Sequence, residues 1–237
     1  MFFVKAKEIF LGIFFPPLCV NCQKYLSQDG LSSICVDCFS QIRINNTFFC
    51  PTCRNRLAEN KKTCHPQANY FLAAVGDYND AILQNLIHYF KYKNLKALTP
   101  VLGGLLVKHL KLINQPFDNL VNFIVVPVPL HRRRERERGF NQAKLLAQFI
   151  SRECNLELVE GLKRIKNTEP QASIKEPEKR LKNIINCFQI KNPEAVQGGN
   201  IILVDDVFTS GATINEAVKI LKSNGAKKII ALVLAKT

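Results

Sequence analysis

Seven of the nine cysteines fall between residues 19 and 64, and their spacing limits what the first part of the chain can become. Cys19-x-x-Cys22 and Cys35-x-x-Cys38 stand 12 residues apart. Each C-x-x-C turns tightly and points two sulfurs at one centre, so two such knuckles complete a tetrahedral four-thiolate site. Cys50-x-x-Cys53 opens a second set, and Cys64 follows after ten residues. His65 is the nearest fourth donor, but adjacent ligands are awkward around one metal, so spacing counts against it and leaves interleaved pairing open. Clustered C-x-x-C pairs point to thiolate ligation in a reducing compartment and away from disulfide staples. Buried or redox-active cysteines are the alternative. Such closed sites are structural, and in so short a segment the bound metal supplies most of the folding free energy. Cys154 and Cys187, outside the cluster, read as core thiols.

A composition shift near residue 70 separates this region from the rest. The length, 237 residues, fits one to two domains, and we divide it at 1–70 and 71–237. With 47% apolar and 22% charged residues, wholesale disorder is excluded. The formal charge of +14 favours polyanionic partners: phosphates, nucleic acid or an anionic membrane surface. The apolar run Ile9–Val20 is broken by Pro16 and Pro17 and falls short of the roughly 20 residues that span a bilayer. No transmembrane segment is expected. Phe2–Phe15 reads as a short amphipathic or buried helix, with peripheral membrane contact as the alternative. No small-residue cleavage site follows it, so the expected location is cytoplasmic.

Beyond residue 70, Ile82, Leu83, Leu86, Ile87 and Phe90 keep helical spacing. Leu98, Val101, Leu102, Leu105, Leu106 and His109 do the same. Phe123–Pro129 and Ile201–Val204 are continuous apolar runs that predict buried strands. Asn141–Arg152, Glu178–Ile185 and Ala212–Asn224 predict helices, the last stopped by Gly225. Leu156–Val159, Cys187–Ile190 and Ile229–Leu234 predict further strands, and Lys163–Pro177 a mobile polar loop. Fully apolar strands alternating with helices predict an α/β domain whose parallel sheet is covered on both faces.

The segment Ile201-Ile-Leu-Val-Asp-Asp-Val-Phe-Thr-Ser-Gly-Ala-Thr213 carries the sharpest chemical signal. A strand ends in two carboxylates and a short loop then opens a helix. Ligands of open α/β sheets sit at that end of a strand. Loop amides and the hydroxyls of Thr209, Ser210 and Thr213 suit a phosphate, and Gly211 allows its close approach. Asp205 and Asp206 would repel that phosphate, so they suit sugar hydroxyls or a magnesium shell. A helix capped by Thr209 or Ser210 is the plain alternative. His131–Arg138 holds five arginines against two glutamates, and paired N–H donors there suit a pyrophosphate. A solvated charged turn is the alternative.

The Asp205–Thr213 segment resembles the 5-phosphoribosyl-1-pyrophosphate (PRPP) signature of type I phosphoribosyltransferases. Val126-Pro-Val-Pro-Leu-His-Arg-Arg-Arg134, Arg138-Gly-Phe-Asn-Gln142, and Arg164 with Thr168, Gln171, Arg180 and Asn183 resemble the ComF family of competence proteins. So does a cysteine ribbon placed before such a domain, and Lys91 matches a family position. The resemblance implies a phosphoribosyltransferase-like, Rossmann-like domain over 71–237 behind an N-terminal helix and double zinc ribbon over 1–70. It implies Zn2+ at Cys19, Cys22, Cys35, Cys38, Cys50, Cys53 and Cys64. Asp205 and Asp206 are expected at the ribose hydroxyls and Thr209, Ser210, Gly211, Ala212 and Thr213 at the 5-phosphate. His131, Arg132 and Arg133 are expected at the pyrophosphate with Mg2+.

Three functions follow from that resemblance. One is PRPP binding in natural competence, handling incoming single-stranded DNA with competence-machinery proteins on the cytoplasmic side of the membrane. Another is an active phosphoribosyltransferase of nucleotide metabolism. The third is a non-catalytic scaffold for a helicase or channel partner. Single-stranded DNA binding needs stacking aromatics. The chain has no Trp, and its 16 Phe mostly follow apolar patterns.

Overall fold

Alternating residues of the apolar runs face opposite sides of one sheet, and helices cover both. In the computed structural model the described residues are 18–26, 33–57, 64–113, 120–168, 176, 179 and 183–237. The expected helix over Phe2–Phe15, half of that over Glu178–Ile185, Gln171 and Arg180 lie outside them.

The elements are α1 (Val36–Ser40), β1 (Phe71–Asp77), α2 (Ala81–Tyr92), α3 (Thr99–Ile113), β2 (Phe123–Pro127), α4 (Arg132–Arg138) and α5 (Gln142–Cys154). They continue with β3 (Glu157–Leu158), β4 (Leu162–Arg164), β5 (Phe188–Ile190), α6 (Pro193–Val196), β6 (Asn200–Phe208), α7 (Ala212–Ser223) and β7 (Ile229–Lys236). The main sheet runs β1-β7-β6-β2-β3, every pair parallel. In β6, Ile202 and Val204 join the core that holds α2 and α3, while Ile201 and Leu203 join the core under α7. Gly103 of α3 lies so close to α5 that a Cβ there would stand 2.5 Å from Phe149 Cδ1.

Two expectations are corrected. Leu162–Arg164 pairs antiparallel with Phe188–Ile190, so the predicted polar loop begins inside a small second sheet. β6 also runs to Phe208, four residues past the predicted end at Val204, because β7 keeps pairing with it as far as Lys236.

The cysteine-rich region is joined to the main core. Cys19, Ile34, Cys38, Phe48 and Cys50 share one apolar cluster with Ala73, Val75 and Leu83. The chain between the two cysteine groups lies along the open edge of β1, where Asn45 N donates to Val75 O and Phe49 N to Leu72 O, both at 2.7 Å. It thereby closes an edge that would otherwise expose unpaired backbone groups. His109 reaches this stretch from α3, with Nδ1 2.7 Å from Asn45 O. Burial pulls His109 down to about 4, so it sits in the core as a neutral donor.

Candidate functional site

Pairing sets the position of the main cavity. The β2–β6 ladder ends at Pro127↔Val204, and β6 continues alone on that side. From β6 the sheet continues to β7 on one side and to β2 on the other, so the carboxyl ends of these strands flank a crevice. A cavity of about 450 Å³ fills it. Asp205, Asp206, Thr209 and Thr213 line one wall, and Lys91, Arg134, Arg138 and Arg164 supply four cations to the others. A smaller hollow of about 20 Å³ beside it is lined by Val207 to Ile214, including Ser210, Gly211 and Ala212.

The carboxylates differ in environment. Asp206 is 8% exposed and its Oδ1 lies 2.9 Å from Lys91 Nζ. Lys91 follows Phe90, which α2 buries, and occupies the last turn, where a helix favours a cation. Burial pulls the Lys91 ammonium down, but the Asp206 carboxylate more than offsets this and its net shift is upward. Asp205 has no such ion-pair partner among the described residues. Burial, then repulsion from Asp206, pushes it up to about 7. Its Oδ1 accepts from Asp206 N at 2.8 Å.

On the cationic side, α4 is a two-turn helix capped by His131, whose Nδ1 accepts from Arg133 N at 3.3 Å, and stopped by Gly139 at φ +74°. Residues four apart share a helix face. Arg134 and Arg138 therefore look into the cavity, while Arg133 pairs with Glu137 at 3.0 Å on the exposed face. Thr168 draws two arginines together, accepting from Arg164 Nη2 at 2.7 Å through its hydroxyl and from Arg134 Nη2 through its carbonyl. Arg164 Nε is buried without a partner among the described residues. Burial lowers both guanidiniums, which favours an arriving anion. Asn141 Nδ2 donates to Val128 O at 3.1 Å, and buried Gln142 bridges Lys91 O and Arg138 Nη1 at 3.4 Å each. These two amides hold the wall of the cavity.

The phosphate-type loop has the shape its residues predict. Gly211 takes φ +77°, a conformation that L side chains rarely adopt, and a Cβ there would stand 2.6 Å from Phe208 Cζ. Gly211, and neither Thr209 nor Ser210, is the N-cap of α7; Ser210 Oγ accepts from Ala212 N at 3.4 Å.

Two groups of sulfur and nitrogen donors lie apart from this cavity. Cys19, Cys22, Cys35 and Cys38 converge so that their ligand atoms all lie within 4.8 Å of one another, and Cys50, Cys53, Cys64 and His65 do the same. Tetrahedral zinc with Zn–S bonds of about 2.3 Å needs sulfurs about 3.8 Å apart. Cys22 and Cys35 are at 3.7 Å, and Cys53 and Cys64 at 3.3 Å. His65 Nδ1 stands 3.4 Å from Cys50 Sγ and 3.3 Å from Cys64 Sγ, so the objection from adjacency fails and the pairing is not interleaved. Both donor sets fit Zn2+. Burial raises the Cys19 and Cys50 thiols, yet neighbouring backbone N–H donors outweigh it and bring each to about 6. The thiols crowded beside Cys64 leave it pushed up to about 12. At Cys38 the Asn21 amide lowers the thiol, but burial and the neighbouring thiols together push it up to about 12.

Comparison with known proteins agrees with this arrangement. Residues 136–237 match the phosphoribosyl transferase domain family. The DNA utilization protein YhgH of Escherichia coli K12 is 31% identical over 229 residues, 94% of this chain and 98% of its own. Competence protein F of Haemophilus influenzae is 30% identical over 226 residues, 91% of this chain and 95% of its own. The chain belongs to the ComF family. Competence protein ComFC of Bacillus subtilis is 42% identical over 104 residues, 44% of this chain and 40% of its own.

Within this ComF-family chain the crevice gathers Asp205, Asp206 and the loop Thr209–Thr213, but His131, Arg132 and Arg133 do not line it. Arg134, Arg138 and Arg164 do, with Lys91. A helical reading of Arg132–Arg138 finds the first two, since positions 134 and 138 are one turn apart. No helix among the described residues is long and apolar enough to cross a membrane.

Proposed function

We propose that the crevice binds PRPP. The observation that carries this reading is the convergence, at the carboxyl end of β6, of a carboxylate pair, a glycine-containing hydroxyl loop and three arginines on one cavity. Asp205 and Asp206 accept from the ribose hydroxyls. The amides and hydroxyls of Thr209–Thr213 hold the 5-phosphate. Arg134, Arg138 and Arg164 take the pyrophosphate, in place of His131, Arg132 and Arg133. The carboxylate oxygens fit a hard cation such as Mg2+, which when bound neutralises charge on the leaving pyrophosphate. If the chain transfers the ribosyl group, its own contribution is positioning plus the field of these arginines around the departing anion.

The relatives named for competence and DNA utilization support placing this PRPP site in the handling of incoming single-stranded DNA, on the cytoplasmic side and beside the uptake machinery. The +14 charge supports a polyanionic partner. In this reading residues 1–70 are a zinc-stapled unit and 71–237 the ligand-binding one. Calorimetry with PRPP and Mg2+ tests the site. Wild type is expected to bind, and the Asp205→Asn, Asp206→Asn double variant to lose binding while staying folded. Unchanged affinity in the folded double variant refutes the site.

A further inference from the structure

The second cysteine knuckle reaches the phosphate loop through Arg54. Its backbone lies at φ +63°, the left-handed region where glycine is favoured, so a long side chain there is a costly choice. Gln23 occupies the matching place in the first knuckle at φ +60° and turns its amide back to Val20 O at 3.4 Å. Arg54 instead crosses to the main sheet. Its Nη1 donates to Thr237 O at 3.0 Å and to Thr237 Oγ1 at 3.3 Å. Thr237 Oγ1 donates on to Thr209 O at 3.4 Å, and Thr237 N to Phe208 O at 3.0 Å. The guanidinium also stands 5.9 Å from the centre of the Phe208 ring, within cation–π reach. That ring supports Gly211 closely enough to forbid a Cβ. Two separate routes, one through Thr237 and one through Phe208, thus lead from Arg54 to the loop.

We infer that Arg54 is a positioning residue for the phosphate end of the ligand. From the zinc-ribbon side it fixes Phe208, Thr209 and Thr237, so the Thr209–Thr213 loop is set before a phosphate arrives. This rests on reading the crevice as a phosphoribosyl site. The pyrophosphate end belongs to Arg134, Arg138 and Arg164, none of which Arg54 contacts, so loss of Arg54 separates the two ends.

The test is calorimetry of the zinc-loaded full chain with ribose 5-phosphate and, separately, inorganic pyrophosphate. Arg54→Gly relieves the left-handed backbone while removing the arm, so zinc content and thermal stability are expected to hold. Ribose 5-phosphate binding is expected to weaken about tenfold, the cost of ordering the loop when the ligand arrives instead of beforehand. Pyrophosphate binding stays within about twofold, because its ligands are untouched. Arg54→Lys restores the charge without the fork and is expected to fall between the two. Equal ribose 5-phosphate affinity in wild type and Arg54→Gly overturns the assignment. So does equal weakening of both ligands, or loss of zinc from the glycine variant. Failure of wild type itself to bind ribose 5-phosphate overturns instead the site on which the inference rests.

Discussion

Replacing Asp205 by Asn is expected to flatten a pH dependence of stability that the wild type carries. Asp205 titrates near 3.8 when unfolded and is pushed up to about 7 in the crevice, by burial and then by Asp206. A carboxyl whose folded value is raised stabilises fully below its unfolded value and loses that contribution as pH rises through the folded one. The shift of about three units, at about 1.36 kcal/mol each, sets a ceiling of about 4 kcal/mol lost between pH 4 and pH 8. Solvent at the cavity mouth screens part of it, so about 2 kcal/mol is expected. Asn keeps an oxygen for Asp206 N, which Asp205 Oδ1 accepts at 2.8 Å, so the change is chiefly one of charge. Urea unfolding of both proteins from pH 4.5 to 8.5, at matched slopes, reads the difference. Relative to wild type, the variant should gain stability steadily as pH rises. Parallel curves would refute the claim that the crevice and Asp206 raise this carboxyl.

Other perturbations read other parts of the account. Lys91→Met leaves the Asp206 carboxylate without its partner at 2.9 Å, and should cost about 3 kcal/mol in urea unfolding at pH 8; a loss below about 1 kcal/mol makes the pair incidental. His65→Ala should lower tightly bound zinc from two ions per chain to one by metal analysis, because it supplies the fourth donor of the second group; two ions retained would exclude it. Gly211→Ala places a methyl 2.6 Å from Phe208 Cζ at φ +77°, so it should lower stability by about 1–3 kcal/mol and weaken PRPP binding. An unaltered melting temperature would contradict the geometry.

The sequence makes the long apolar strands legible because they are buried on both faces, as Ile201–Val204 and Ile229–Leu234 show. The three-residue strand Leu162–Arg164 is not, since it is too short for a period and its partner is the equally short Phe188–Ile190, which the run Cys187–Ile190 does predict. β1 gives no strand signal in the sequence, because Phe71–Asp77 is rich in alanine and poor in the β-branched residues that mark a strand. Asp205 and the loop to Thr213 are readable as one contiguous segment. The cationic wall is assembled from α2, α4 and β4, so only the fold brings Lys91, Arg134, Arg138 and Arg164 together. Within Arg132–Arg138, treating the charges as a line selects an end that does not line the crevice, whereas helical phase selects the two that face it. His65 looks excluded by adjacency until the backbone turns its ring between Cys50 and Cys64.

A crystal structure of the chain soaked with PRPP and Mg2+ tests the central claim most directly. The account predicts the 5-phosphate against Thr209–Thr213, the ribose hydroxyls on Asp205 and Asp206, and the pyrophosphate facing Arg134, Arg138 and Arg164. Ligand density in the reverse orientation, or none in a crevice that the lattice leaves open, would contradict it.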